Sequence, residues 1–270
     1  MTQVAVCGSF DDLRSPQMRF LHEASRQGDL HVRLWSDEAI RASTGKPPKF
    51  PQAERLYLLQ SIRYVKAVEL VERTGRDGLP EGRGPRPDLW LDMAADLSPE
   101  RQQACAARGI GYRLLGPPDL RGFPLLPESE PAPGRKKVIV TGCYDWFHSG
   151  HVRFFEEAAE HGDLYVALGH DANIRLLKGE GHPLFPEQER RYMVQAIRFV
   201  KQALVSSGHG WMDAEPEVRR LKPDRYVVNE DGDKPEKREF CASHGLEYVV
   251  LKRAPKPGLP RRQSTDLRGF

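Results

Sequence analysis

In this 270-residue chain, His148-Ser149-Gly150-His151 is the segment whose residue types and spacing point most directly to chemistry. Histidines three apart share one face when they open a helix. The unpaired amides and the positive dipole end of a helix N-terminus attract phosphate, and Gly150 leaves room between the imidazoles for a triphosphate. The preceding residues, Gly142-Cys143-Tyr144-Asp145-Trp146-Phe147, follow a short β-branched run. Gly142 allows backbone to approach a ligand closely. A pair of ordinary surface histidines near a helix cap is the plain alternative, and the strand, the glycine and Asp145 weigh against it.

These residues need a scaffold that presents them together, and the chain writes that scaffold twice. Val4-Ala5-Val6-Cys7-Gly8-Ser9-Phe10-Asp11 echoes Val138-Ile139-Val140-Thr141-Gly142-Cys143-Tyr144-Asp145. Phe50-Pro51-Gln52-Ala53-Glu54-Arg55 echoes Phe185-Pro186-Glu187-Gln188-Glu189-Arg190, and Asp119-Leu120-Arg121-Gly122-Phe123 returns as Asp266-Leu267-Arg268-Gly269-Phe270. Repeats at a near-constant offset indicate duplication. The boundaries read as a first domain over 1–123, a Pro-rich linker over 124–135 and a second domain over 136–270. Within the second copy, strands are expected near 137–141, 164–168, 225–228 and 247–251, with helices near 149–161, 187–200 and 236–244. Strand–helix alternation makes this an α/β chain of two tandem doubly wound parallel-sheet domains, with ligands beyond the C-terminal strand ends at the switch point. Residues 142–151 fall there.

Composition narrows the setting. Hydrophobic residues make up 39% and charged residues 29%, with a net charge of +3. That charge does not call for nucleic acid or a membrane surface. No apolar run of about 18 residues exists, so no membrane span is expected. The first residues carry no signal-peptide pattern. The four scattered cysteines suit neither a disulfide framework nor a zinc site. A cytoplasmic setting is therefore expected.

The loop and its histidines resemble the cytidylyltransferase-like HxGH nucleotidyltransferases, above all the glycerol-phosphate and ethanolamine-phosphate cytidylyltransferases. The resemblance covers residues 136–270 well and residues 3–123 in degraded form. It implies a Rossmann-like fold and transfer of a nucleoside monophosphate, CMP by the nearest likeness, from an NTP to a phosphorylated small molecule with release of pyrophosphate. It further implies that His148, His151 and Lys178 are catalytic. Gly142, Cys143, Tyr144, Gly150, Arg253, Ser264 and Thr265 would hold the nucleotide, with Arg261 and Arg262 competing for the role of Arg253. Asp145, Asp171, Arg190 and Arg198 would serve the acceptor. Mg²⁺ would bridge the phosphates without protein ligands of its own. CTP is the expected nucleotide. An ATP-using adenylyltransferase acting on a sugar phosphate or coenzyme precursor is the runner-up, and a non-catalytic nucleotide-binding module the rival of another class.

Carried back onto the first copy, the histidine segment falls on Arg14-Ser15-Pro16-Gln17, and Lys178 falls on Thr44. Asp11, Asp37 and Arg55 persist. The first domain is therefore expected to be catalytically inactive. The Arg-aromatic-Val stretches at Arg63-Tyr64-Val65 and Arg198-Phe199-Val200 lie at the homodimer interface in the resembled family, so an intrachain pseudo-dimer is expected.

Overall fold

Each copy is built around a strand too apolar to face water on either side. Val4, Ala5 and Val6 in the first copy, and Val138, Ile139 and Val140 in the second, are essentially unexposed. Such runs belong in the middle of a parallel sheet covered on both faces. The structure is a computed structural model that describes residues 1–72, 78–80, 84–127 and 131–267, less the side chains of Thr265 and Asp266. It divides into two units, Met1–Gly122 and Phe123–Phe270.

The first unit runs β1 (Gln3–Gly8), α1 (Ser15–Ser25), β2 (Asp29–Trp35), α2 (Asp37–Thr44), α3 (Gln52–Gln60), β3 (Ala67–Val71), β4 (Leu89–Met93), α4 (Pro99–Ala107) and β5 (Gly111–Leu115). The second runs β6 (Lys137–Gly142), α5 (Ser149–Glu160), β7 (Asp163–Leu168), α6 (Asp171–Lys178), α7 (Glu187–Gln195), β8 (Val200–Val205), α8 (Glu215–Leu221), β9 (Arg225–Asn229), α9 (Pro235–Ser243) and β10 (Glu247–Leu251). The sheet orders are β3-β2-β1-β4-β5 and β10-β9-β6-β7-β8, and every pairing is parallel. These are the same Rossmann-like doubly wound order, whose switch point lies between β1 and β4 in one unit and between β6 and β9 in the other.

The structure departs from the sequence-based expectation in one element. A single helix over 187–200 was expected, but α7 ends at Gln195 and Val200–Val205 forms a fifth strand on the sheet edge. Gln195 makes the join. Its Oε1 accepts from the Ala203 amide at 2.7 Å, while Arg191 donates to the Ala203 carbonyl at 2.9 Å. Two helix side chains thus satisfy backbone groups that an edge strand leaves open.

A buried guanidinium ties each ligand-facing sheet edge together. Arg190 donates to the carbonyls of Phe185 (2.9 Å), Cys143 (2.7 Å) and Gly169 (2.9 Å) and to Asp171 Oδ1 (2.7 Å). Arg55 repeats the pattern with Phe50 (2.9 Å), Ser9 (2.6 Å), Trp35 (2.8 Å) and Asp37 Oδ1 (2.7 Å). Asp145 accepts from the amides of Leu184 and Phe185, and Asp11 from those of Lys49 and Phe50. Asp11, Asp37 and Arg55 persist in the first copy because they hold its loops, which needs no ligand. Removing either arginine strands carbonyls and a carboxylate that it satisfies. Arg55→Met and Arg190→Met should each destabilise their unit by about 3–5 kcal/mol, measured by chemical unfolding. A loss below about 1 kcal/mol for either would contradict the bracket.

Candidate active site

The turn after β6 sets the geometry. Tyr144 takes φ +53°, as its counterpart Phe10 takes +44°. This left-handed kink is uncommon for a non-glycine residue. It folds the Tyr144 ring back under β6, where a Cβ on Gly142 would stand 2.8 Å from the ring. Gly142 therefore makes room for Tyr144. Gly150 likewise has a local reason: a Cβ there would meet the His148 ring at 2.9 Å.

His148 is the N-cap of α5. Its Nδ1 accepts from the Gly150 amide at 3.1 Å, satisfying one of the helix's free donors. In the neutral ring that leaves the proton on Nε2, which faces Ser264 Oγ at 3.4 Å. One turn on, the His151 ring stacks on His148 with centroids 3.9 Å apart and planes 23° from parallel. Tyr144 meets His151 edge-on at 5.2 Å, and Phe147 stacks on it at 5.6 Å. Burial is the main force on both rings. Together with the charges of Arg253 and Arg262 it lowers the His148 pKa to about 3. His151 is held well below the ordinary value by burial, then by His148, Arg253 and Lys178. Both imidazoles are therefore neutral at physiological pH.

They form one end of a cavity of about 270 Å³ beyond the C-terminal ends of β6 and β9. Gly142, Cys143, Tyr144, Asp145, Gly150, Lys178, Arg253 and Ser264 also line it, so most of the expected site residues converge there. Lys178 arrives as the last residue of α6. Arg253 is held by Asp231 and donates to the Arg262 carbonyl at 3.4 Å. Of the competing arginines it alone lines this cavity, while Arg261 and Arg262 line an adjoining cleft. The Cys143 thiol is raised by burial above the ordinary range and is not a nucleophile.

Other expected residues are placed elsewhere. Asp145 lies on the wall, but its carboxylate is taken by the 184–185 amides. Asp171 and Arg190 are absent from the wall and bind each other in the bracket. Arg198 is exposed in the turn between α7 and β8 and does not line the cavity either. The acceptor role expected of Asp171, Arg190 and Arg198 thus has no geometric support, whereas Asp145 is on the wall as well as in the bracket. The side chain of Thr265 lies outside the described residues. Sequence reasoning missed Lys237 on α9, which lines the wall together with Asn229 at the end of β9 and Asp231. Lys237 donates to the Gly232 carbonyl at 3.1 Å, and burial lowers its pKa. The available signal was the duplication itself. At the same positions the first copy carries Met93, Ala95 and Arg101, whereas the bracket residues are unchanged. Among buried polar atoms without a hydrogen-bond partner are Tyr144 Oη, His151 Nδ1 and Asn229 Oδ1, all in cavity-lining residues. Each such group costs about 1–3 kcal/mol.

Comparison with known proteins agrees with this geometry. The cytidylyltransferase-like family model matches residues 139–256. An FAD synthase of Ferroglobus placidus is 33% identical over 120 residues, which cover 43% of this chain and 75% of that protein. The chain belongs to the cytidylyltransferase-like nucleotidyltransferase family. A bifunctional protein HldE of Pelobacter propionicus is 35% identical over 126 residues, 45% of this chain, and the match spans 25% of the length of that relative. A solved lipopolysaccharide core biosynthesis protein of Thermoplasma volcanium aligns at 25% identity over 45% of this chain and 99% of its own, with a TM-score of 0.39. No helix among the described residues is long and apolar enough to cross a membrane.

The neutral histidines make a pH prediction. Their folded pKa values lie below the unfolded value of about 6.5, so the unfolded chain takes up their protons first as pH falls. The stability linked to them is complete above pH 6.5 and is lost progressively toward about pH 3. Between pH 7 and pH 5, the double variant His148→Asn/His151→Asn should lose less melting temperature than the parent chain. Parallel losses in the two proteins would mean that the rings are not held neutral.

Proposed function

We propose that the second unit transfers AMP from ATP to the phosphate of a small phosphorylated acceptor and releases pyrophosphate. The observation that carries this reading is the stacked, neutral histidine pair on the N-terminus of α5, facing a cavity lined by Lys178, Arg253 and Ser264. Each of these groups donates hydrogen bonds, and together they suit a polyanion. The acceptor's phosphate oxygen needs no general base, because it is already anionic. It attacks the α-phosphorus in line; an O–P bond forms, the bond to the bridging oxygen of the β-phosphate breaks, and pyrophosphate leaves with that electron pair. Nε2–H of His148 and the charges of Lys178 and Arg253 stabilise the negative charge that builds up, the usual means of phosphoryl-type transfer.

The relatives favour ATP over the CTP expected from the overall resemblance. FAD joins AMP to a flavin phosphate, so an FAD synthase is by its name an adenylyl-transferring relative. A flavin phosphate or a sugar phosphate is the corresponding acceptor class. Mg²⁺ would enter with the triphosphate. Mg²⁺ is commonly held by phosphate oxygens and water rather than by a protein cage. When bound it would neutralise phosphate charge.

Pyrophosphate release should be measured for ATP and CTP against flavin phosphate and a panel of sugar and alcohol phosphates. ATP should turn over with at least one acceptor, and at least about tenfold faster than CTP, the discrimination expected from about 1.4 kcal/mol. His151→Asn should lower kcat by about 10²–10³, the effect of losing one well-placed donor. A preference for CTP would overturn the choice of nucleotide. ATP binding without turnover on any acceptor would favour a regulatory module instead.

A further inference from the structure

Lys237 is a half-buried cation on the cavity wall, and no group of opposite charge meets it. Among the described residues it makes no ion pair; its Nζ donates to the Gly232 carbonyl at 3.1 Å. The carboxylates nearest in effect are Asp231 and Asp213. Both are committed elsewhere, Asp231 to Arg253 and Asp213 to Ser206 and Asn173. Burial, and then the charge of Lys234, press on the ammonium and lower its pKa. A cation partly withdrawn from water gains more from an arriving anion than an exposed one does.

The first unit shows what this position does when it serves the fold alone. Arg101 is the third residue of α4 as Lys237 is the third of α9, and both helices open on proline. Arg101 donates to Asp92 Oδ1 at 2.7 Å, and Trp90 and Tyr112 also donate to that buried carboxylate. Asp92 is the fourth residue of β4; the fourth residue of β9 is Val228, which lines the cavity beside Lys237. The second unit thus keeps the cation and drops its buried counter-charge. It does so on a wall where a ligand can supply one.

The α5 end of the cavity already matches a triphosphate with His148, His151, Lys178, Arg253 and Ser264. A nucleoside carries no charge. The second anion that the reaction brings is the phosphate of the acceptor. We infer that Lys237 binds the acceptor's phosphate and brings it to the α-phosphorus. This rests on the adenylyl-transfer reading above. One cavity of about 270 Å³ is lined by both the histidines and Lys237, so the two phosphates meet within it. Lys237 touches the acceptor and not ATP, so its loss is read in acceptor-side affinity alone.

Inorganic phosphate is the probe. It is titrated into the full chain saturated with α,β-methylene-ATP, which fills the nucleotide end and does not react. Calorimetry on the parent, Lys237→Met and Lys237→Arg reads both affinities, and a thermal melt verifies folding. Methionine keeps an unbranched apolar stem, and arginine is the residue at this place in the first unit. Should the methionine variant not fold, Lys237→Gln takes its place. Lys237→Met should bind phosphate at least about tenfold more weakly, the loss of one charged hydrogen bond, with its affinity for the ATP analogue unchanged. Lys237→Arg should bind phosphate as the parent does. Undiminished phosphate binding in Lys237→Met, an equal loss in Lys237→Arg, or a parallel loss of analogue affinity would overturn the inference and leave the ATP reading intact. So would a parent chain that binds the analogue but no phosphate. A parent chain that binds no analogue would overturn both.

Discussion

A buried arginine in each unit is the constraint on which the ligand-facing edge depends. Arg190 draws the loop after β6, the end of β7 and the loop before α7 onto one guanidinium, and Asp145 seals the same loop from the other side. These contacts lock the turn that carries Tyr144 and delivers His148 to the start of α5. An ion taken so far from water is tolerable only because its donors are matched to fixed carbonyls and one carboxylate. The histidine pair then depends on that turn: the N-cap bond to Gly150 orients His148, and the stack on His148 orients His151.

The duplication separates holding from binding. Residues that make the bracket recur with nearly the same distances in a unit that lacks the histidines. Residues that line the cavity change type between units, His148 to Arg14, His151 to Gln17, Lys178 to Thr44 and Asn229 to Met93. A carboxylate beside a phosphate-binding loop invites a substrate role, yet Asp145 and Asp171 behave in both copies as ties between loops. The first unit thus keeps the architecture of a nucleotide site without the histidine pair and the lysine.

Much of this was legible in the sequence. The central strands announce themselves as short apolar runs, and the histidine segment after one of them marks both the helix start and the phosphate end. The fifth strand was not legible, because no glycine or proline separates α7 from Val200 and the apolar spacing runs on. Residue types also could not tell which way a side chain faces. Gly142 and Gly150 line the cavity, and they also make space for Tyr144 and His148, which spacing alone did not reveal. Lys237 is a common residue with no motif around it. It came into view only once the fold placed the first turn of α9 on the same wall as the histidines.

One nucleotide site per chain is the expectation, since both units have the fold and only the second has the histidine pair and Lys178. Isothermal titration of the full chain with ATP and Mg²⁺ measures it directly. The account predicts one ATP bound per chain, with binding abolished or strongly weakened in His148→Asn/His151→Asn. Two ATP molecules per chain, or one that persists undiminished in that variant, would contradict it.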